Sequence, residues 1–473
     1  MTALSLHSTW LGWLLLAAMC SAQTPSRAST DRTVLVHVLQ LARAHRYSEA
    51  AVAMRGVPLP VDPQQRIVFY RLRASIESGL GNSKAAATDM EAASKLAPVD
   101  VQLQVAAALA RLELQLETHV DPALTLKTLR GAQLPADRQL EVRLHTGEVL
   151  SRAHLYSEAA EDFAEAARLA PDRADIFFNL ALARYYGGQW DEALESAERA
   201  KTLEDNGPTE SLLGDIQEKR GDALSAVHSY QAAVTLEPNV EQHRLTLATE
   251  FLRHQTFDAA IVVLEQSAGL FPQSVHTKML MGLAYYLVDR SPDSIHALLE
   301  ATKLDGKDGL AARYLGEITL QDSATPDPVA VKRVCAFADA HPVHKTANAL
   351  CGGVLLRVAQ DSGDTSRGPE ILHRLREAVR IAPDEPVARC QLGKALEWSQ
   401  QWREARTQME KCVRLDPDSP EGHYRLARVY RRLGLSALAG EQTSLQKQAA
   451  KRESDESTRR ANSVSRFLVL LDR

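Results

Sequence analysis

From about residue 31 to about residue 456, apolar side chains return every three or four positions in short runs. Turns rich in Gly, Pro, Asp and Asn separate these runs. That spacing predicts amphipathic helices, and the short turns predict that consecutive helices lie antiparallel. Several runs end alike. Ala166-Ala167-Arg168-Leu169-Ala170-Pro171, Ala232-Ala233-Val234-Thr235-Leu236-Glu237-Pro238, Ala378-Val379-Arg380-Ile381-Ala382-Pro383 and Cys412-Val413-Arg414-Leu415-Asp416-Pro417 each close on a proline. Pro238 and Pro272 are 34 residues apart, as are Pro383 and Pro417. A proline cannot continue the helix before it, so each marks a stop and a new start.

Residues 207–240 place Leu213, Gly214, Ala226, Tyr230, Ala233 and Pro238 at fixed offsets. Residues 386–419 do the same with Leu392, Gly393, Leu396, Ala405, Met409, Cys412 and Pro417. These positions resemble the tetratricopeptide repeat, a 34-residue helix–turn–helix unit. Looser matches elsewhere bring the number to about twelve repeats and about 24 helices. The resemblance implies an all-α, right-handed superhelical solenoid. Small residues let the paired backbones approach, larger ones fill the space to the next unit, and stacking makes one continuous core.

The expected organisation is a leader at 1–22, a polar linker at 23–30 and divergent repeats at 31–136. Central repeats follow at 137–308, repeats with insertions at 309–385, and C-terminal repeats with a capping helix at 386–456. A tail at 457–473 turns from polar to apolar at Phe467–Leu471.

In this family the first helix of each pair lines a groove that holds a peptide or a partner domain. Carried onto this chain, the groove positions give two candidates. Phe178, Asn179, Tyr185 and Tyr186, with Met279, Leu283 and Tyr286 three units on, would form an aromatic and methionine-lined stretch, or else pack against neighbouring helices. Arg425, Arg428, Arg431 and Arg432 share one face of the last unit and would attract a carboxylate or an acidic segment. An ordinary charged helix face is the plainer alternative. The Lys and Asn set of chaperone-binding carboxylate clamps is not reproduced. Cys335 with Cys351, and Cys390 with Cys412, fall on adjacent antiparallel helices. Two disulfides are expected there if the chain meets an oxidising compartment; otherwise the four are small core residues.

The leader bears on that compartment. Trp10–Met19 is an apolar run of signal-peptide length, followed by Cys20-Ser21-Ala22, which suits cleavage after Ala22. Ala17-Ala18-Met19-Cys20 also looks like a lipoprotein box, which makes Cys20 an alternative lipid anchor on a membrane surface. The expected location is therefore exported, periplasmic or secreted, in a bacterium. No other stretch is apolar enough to span a membrane.

Composition removes some functions. The formal net charge is −5, with 24% charged residues and no basic domain, so nucleic acid is not expected. No catalytic or cofactor spacing of the G-x-S-x-G, G-x-G-x-x-G or H-E-x-x-H kind occurs. Asp305–Gly309 reads as a turn, and His341 with His344 as turn residues. The expectation is a non-catalytic protein-binding scaffold without a cofactor. The alternative is a structural subunit of an envelope or polysaccharide-export assembly.

Overall fold

The computed structural model describes residues 28–305, 309–321 and 325–453. The leader, Cys20 and the apolar tail lie outside the described residues, as does most of the 23–30 linker. The described helices number 24, in twelve consecutive pairs. They are α1 (Ala28–Arg43), α2 (Tyr47–Met54), α3 (Pro63–Gly79), α4 (Ser83–Leu96), α5 (Val101–Glu117), α6 (Ala123–Arg130), α7 (Ala136–Arg152) and α8 (Tyr156–Leu169). Next come α9 (Ala174–Tyr186), α10 (Trp190–Leu203), α11 (Gly207–Lys219), α12 (Ala223–Leu236), α13 (Glu241–Arg253), α14 (Phe257–Leu270), α15 (Val275–Leu287) and α16 (Ser291–Leu304). The last are α17 (Leu310–Gln321), α18 (Pro328–Ala340), α19 (Ala347–Ser362), α20 (Gly368–Ile381), α21 (Pro386–Trp398), α22 (Trp402–Leu415), α23 (Pro420–Arg432) and α24 (Ser436–Glu453). No strand occurs among the described residues.

Most odd-numbered helices pack on the second helix of their own pair and on the second helix of the pair before it, as α9, α15, α21 and α23 do. The chain divides into two compact units, residues 1–229 and 230–473, with the border inside α12. In the second unit the first helices of neighbouring pairs, from α13 to α23, touch one another, whereas among second helices only α16 and α18 do so appreciably.

The prolines act as expected. α14 ends at Leu270 before Pro272, and α22 ends at Leu415 before Pro417. The intervening Phe271 and Asp416 leave the helical region, with φ/ψ of −123°/65° and −133°/79°. That is what a following proline ring imposes on its neighbour. Starts are set by side chains: Asp62, Asn82, Asp100, Asn206, Ser274, Asp327 and Ser419 each accept a backbone N–H from the first turn that follows. The expected turns at Gly188 and Gly221 take φ of +78° and +81°. In the turn at Asp305, the carboxylate accepts the Ala311 N–H at 2.7 Å and caps α17.

The second helices of two weak N-terminal repeats, α2 and α6, are only eight residues long. Their motifs are faint because there is less helix to carry them. Small residues do let paired helices approach. A Cβ placed on Gly282 would meet the Leu298 side chain at 2.6 Å.

Candidate partner-binding surface

The four first helices α17, α19, α21 and α23 belong to the second unit and are neighbours in order. Together they carry eight Lys or Arg and four Asp or Glu. On α17, Arg313 donates to Glu317 at 3.0 Å, both largely covered. On α19, Arg357 donates to the Thr319 carbonyl of α17. On α21, Lys394 lies 2.5 Å from Glu421 Oε2 of α23, with only 17% of its side chain exposed. Arg425 then bridges two carboxylates, Glu421 at 2.8 Å and Glu397 at 3.0 Å. Arg428 reaches the other oxygen of Glu397 at 3.0 Å. The result is one chain of charges, Lys394–Glu421–Arg425–Glu397–Arg428, crossing from α21 to α23.

Its electrostatics follow from position. Burial pushes the Lys394 ammonium below the usual lysine range, Arg425 and Arg357 push the same way, and Glu421 recovers only part. Burial would raise the Glu421 carboxyl, yet Lys394 and Arg425 outweigh it and hold it below the usual carboxylate range. Glu397 is 3% exposed and depends on Arg425 and Arg428 for its solvation.

The expected arginine stripe is therefore not a set of four guanidiniums open to a ligand. Arg425 and Arg428 are committed to Glu397, which lies 28 residues before Arg425 and one repeat back. Arg431 donates to Thr443 of α24 at 2.9 Å, and Arg432 sits 5.6 Å over the Trp402 ring of α22. Lys394 and Arg357 were missed. Lys394 stands 34 residues before Arg428 at the equivalent repeat position, which was the available signal. Arg357 stands six residues after Cys351, at the thirteenth position of its repeat, which is also a groove position.

The expected aromatic stretch also needs correction. Met279 is 0% exposed and Leu283 is 2% exposed, so neither faces a ligand. α15 is apolar on nearly every side and lies between α13, α14, α16 and α17, which cover it. Tyr286 is half-buried against the same core. In the first unit, Phe178 and Tyr185 pack beside Ala181 and Ala193, and Asn179 is half-buried. Tyr186 alone of this set is exposed; it stacks on Tyr156 at 5.1 Å and meets the Tyr185 ring edge-on.

Cys335 is joined to Cys351 and Cys390 to Cys412, tying α18 to α19 and α21 to α22. The disulfides thus sit on the two first helices that carry Arg357 and Lys394. His341 and His344 both lie against the Phe337 ring, at 4.8 and 5.2 Å, as turn residues. Among the described residues no helix is long and apolar enough to cross a membrane.

A tetratricopeptide repeat family model matches residues 146–210 and 390–444, one segment in each unit. No curated protein matches the chain. Solved structures are similar at low identity. The C-terminal part of a repeat-containing protein from Cytophaga hutchinsonii is 16% identical, with a TM-score of 0.45, over 53% of this chain and 99% of its own. Yeast Tom70 is 15% identical, with a TM-score of 0.36, over 92% and 99%. YrrB, described as a tetratricopeptide protein with an unusual peptide-binding site, is 18% identical, with a TM-score of 0.31, over 36% and 89%. From the family match, the sequence period and the paired helices, the chain carries tetratricopeptide repeats in an all-α solenoid, the architecture of a protein-interaction scaffold.

Proposed function

We propose that the chain is a non-catalytic scaffold that holds a segment of a partner protein against the first-helix face of its C-terminal unit, outside the cytoplasm. The observation that carries this reading is the half-buried charged row from α21 to α23, with Arg357 of α19 near enough to Lys394 to act on its charge. A solvated helix face would not need buried Glu397 and largely covered Lys394. Rigid helices hold the row in place, and the two disulfides fix the helices beside it. The location rests on the leader-like Trp10–Met19 run and on those disulfides, which persist in oxidising compartments.

The test is crosslinking mass spectrometry in the cells that make the protein. Wild type is compared with an Arg357→Ala, Lys394→Ala double variant shown by circular dichroism to stay folded. A specific partner crosslinked in wild type and lost in the variant supports the reading. The same partners in both would move binding to another face, as a structural-subunit role would require. Finding the protein only in the cytoplasm would remove the export claim.

A further inference from the structure

Two consecutive inter-pair loops of the first unit show aliphatic side chains to solvent. Leu59 and Val61, between α2 and α3, are 48% and 87% exposed. Val99, between α4 and α5, is 91% exposed, and Val101, the first residue of α5, is 44% exposed. Single exposed aliphatics are ordinary, but pairs in neighbouring loops make a patch. Both loops are held by local bonds. Arg66 Nε donates to the Pro60 carbonyl at 2.7 Å, and Val57 is buried. The Asp100 N–H donates to the Ala97 carbonyl at 3.1 Å, and the Gln104 amide donates to the Ser94 carbonyl at 3.0 Å. Val61 and Val99 are therefore presented outward by bonded loops.

Charge does not account for the patch. Residues 55–62 carry Arg55 and Asp62, and residues 95–101 carry Lys95 and Asp100, so each segment balances. Asp62 and Asp100 are also engaged in capping α3 and α5. Pro58, Pro60 and Pro98 leave fewer backbone N–H groups to strip of water. The apolar character fades along the unit. The loop before α7 keeps Leu134, half-buried, while Asp172 and Arg173 precede α9 and Glu204 and Asp205 precede α11. In antiparallel pairs, first helices start on the side where second helices end. Ala28, the first residue of α1, thus lies on the same edge as both loops. The apolar run Trp10–Met19 is joined to it through residues 20–27, a span of at most about 30 Å.

We propose that this edge of the first unit is a lipid-docking surface, with Leu59, Val61, Val99 and Val101 entering the interfacial layer of a phospholipid bilayer. It goes beyond the scaffold reading and uses the other unit. Two observations select lipid over a protein. Aliphatic tips on loops offer no polar group to orient a partner, whereas interfacial insertion needs only apolar area. The run Trp10–Met19 has the composition of a membrane-addressed leader and joins the chain at this edge, so it brings these loops to the bilayer first. The opposite edge also exposes apolar side chains, at Leu80, Val120 and Leu124, and serves as the internal control. Because the charges beside the loops balance, docking should depend little on anionic lipid or on salt.

The experiment uses the full chain carrying Cys20→Ser, which removes lipidation there, purified from its native compartment with its N-terminus read by mass spectrometry. It is mixed with phosphatidylcholine vesicles, with and without phosphatidylglycerol. Expected results are co-sedimentation with both vesicle types. Leu59→Ser, Val61→Ser, Val99→Ser and Val101→Ser together should weaken partition at least roughly tenfold at unchanged melting temperature. If that variant melts lower, Val99→Ser alone is read, with a loss of about threefold expected. Tryptophan introduced as Val61→Trp or Val99→Trp should be quenched by brominated lipid, and Leu124→Trp should not. Absence of vesicle binding, or equal partition of the parent chain and the serine variants, overturns the proposal. So does equal quenching at position 124, or binding that requires phosphatidylglycerol and disappears in salt. Self-association without lipid in sedimentation velocity, lost in the serine variant, would assign the patch to a second copy and also overturn it.

Discussion

The Tyr430 hydroxyl of α23 donates to Glu410 Oε1 of α22 at 2.8 Å, joining one repeat to the one before it. Tyr285 of α15 makes the same bond to Glu265 of α14, also at 2.8 Å and also across 20 residues. Both rings are largely buried, and each has an arginine over its face, Arg406 for Tyr430 and Arg290 for Tyr285. The repeat thus reuses one device: a tyrosine fills the inter-pair space and its polar end is satisfied by the preceding second helix.

Both phenols are pushed up to about 12, by burial first and then by the adjacent carboxylate. Their contribution to stability is fully present below pH 10, where both states hold the proton. It is lost as pH rises from 10 towards 12, because the unfolded chain releases its protons first. Spectrophotometric titration should show two tyrosines ionising late. Tyr285→Phe and Tyr430→Phe should each remove one late phenol and cost about 1–2 kcal/mol in urea unfolding at pH 7. Normal titration of all tyrosines in the folded chain would contradict the bonds.

In the first unit, Asp162 of α8 is 0% exposed and is held by Arg130 at 2.7 Å and Arg143 at 2.6 Å. It links the short α6 to α7 and α8. Asp162→Ala leaves two partly buried guanidiniums without it and should destabilise the unit by roughly 3 kcal/mol. Hydrogen exchange should show faster opening of α6 than of α10. Unchanged protection at Ala123–Arg130 would mean the pair does not hold that helix.

Gly282 is needed where α15 crosses α16, because a methyl group there would press on Leu298. Gly282→Ala should cost about 1–3 kcal/mol despite alanine's better helix propensity. Gly269, with open space around it, is the control: Gly269→Ala should be neutral or stabilising. Equal effects at the two sites in thermal unfolding would count against the close approach.

The Cys335–Cys351 and Cys390–Cys412 links close loops 16 and 22 residues apart in sequence. Replacing either pair by Ser should lower the stability of the C-terminal unit by about 2–4 kcal/mol. Non-reducing peptide mapping of protein from its native compartment should recover both links. Four free thiols there would contradict both the links and the export reading.

The helix pairs were legible because their determinants are local. A proline two residues past a helix end, a glycine facing a leucine and an Asp or Ser before a first turn act within a few residues. The candidate surface was less so. Arg425 could be placed on an exposed helix face, but its commitment to Glu397 depends on how α21 and α23 meet. Met279 and Leu283 occupy ligand-facing repeat positions, yet close neighbours on several sides turn α15 into a core helix. The aromatic residue that does stay open, Tyr186, was in the expected set, but its stacking partner Tyr156 lies a full repeat earlier and was invisible to local pattern.

On the proposed function a partner lies on the first-helix face of the C-terminal unit. Tyr424 of α23 sits there, 49% exposed and beside Arg428, while Val262 on the second helix α14 is 53% exposed. Site-specific photocrosslinking compares a benzophenone amino acid at Tyr424 with one at Val262, in the native cells. A discrete adduct from position 424 and none from position 262 is the predicted result. An adduct from 262 alone would contradict the account and place the partner on the opposite helix row.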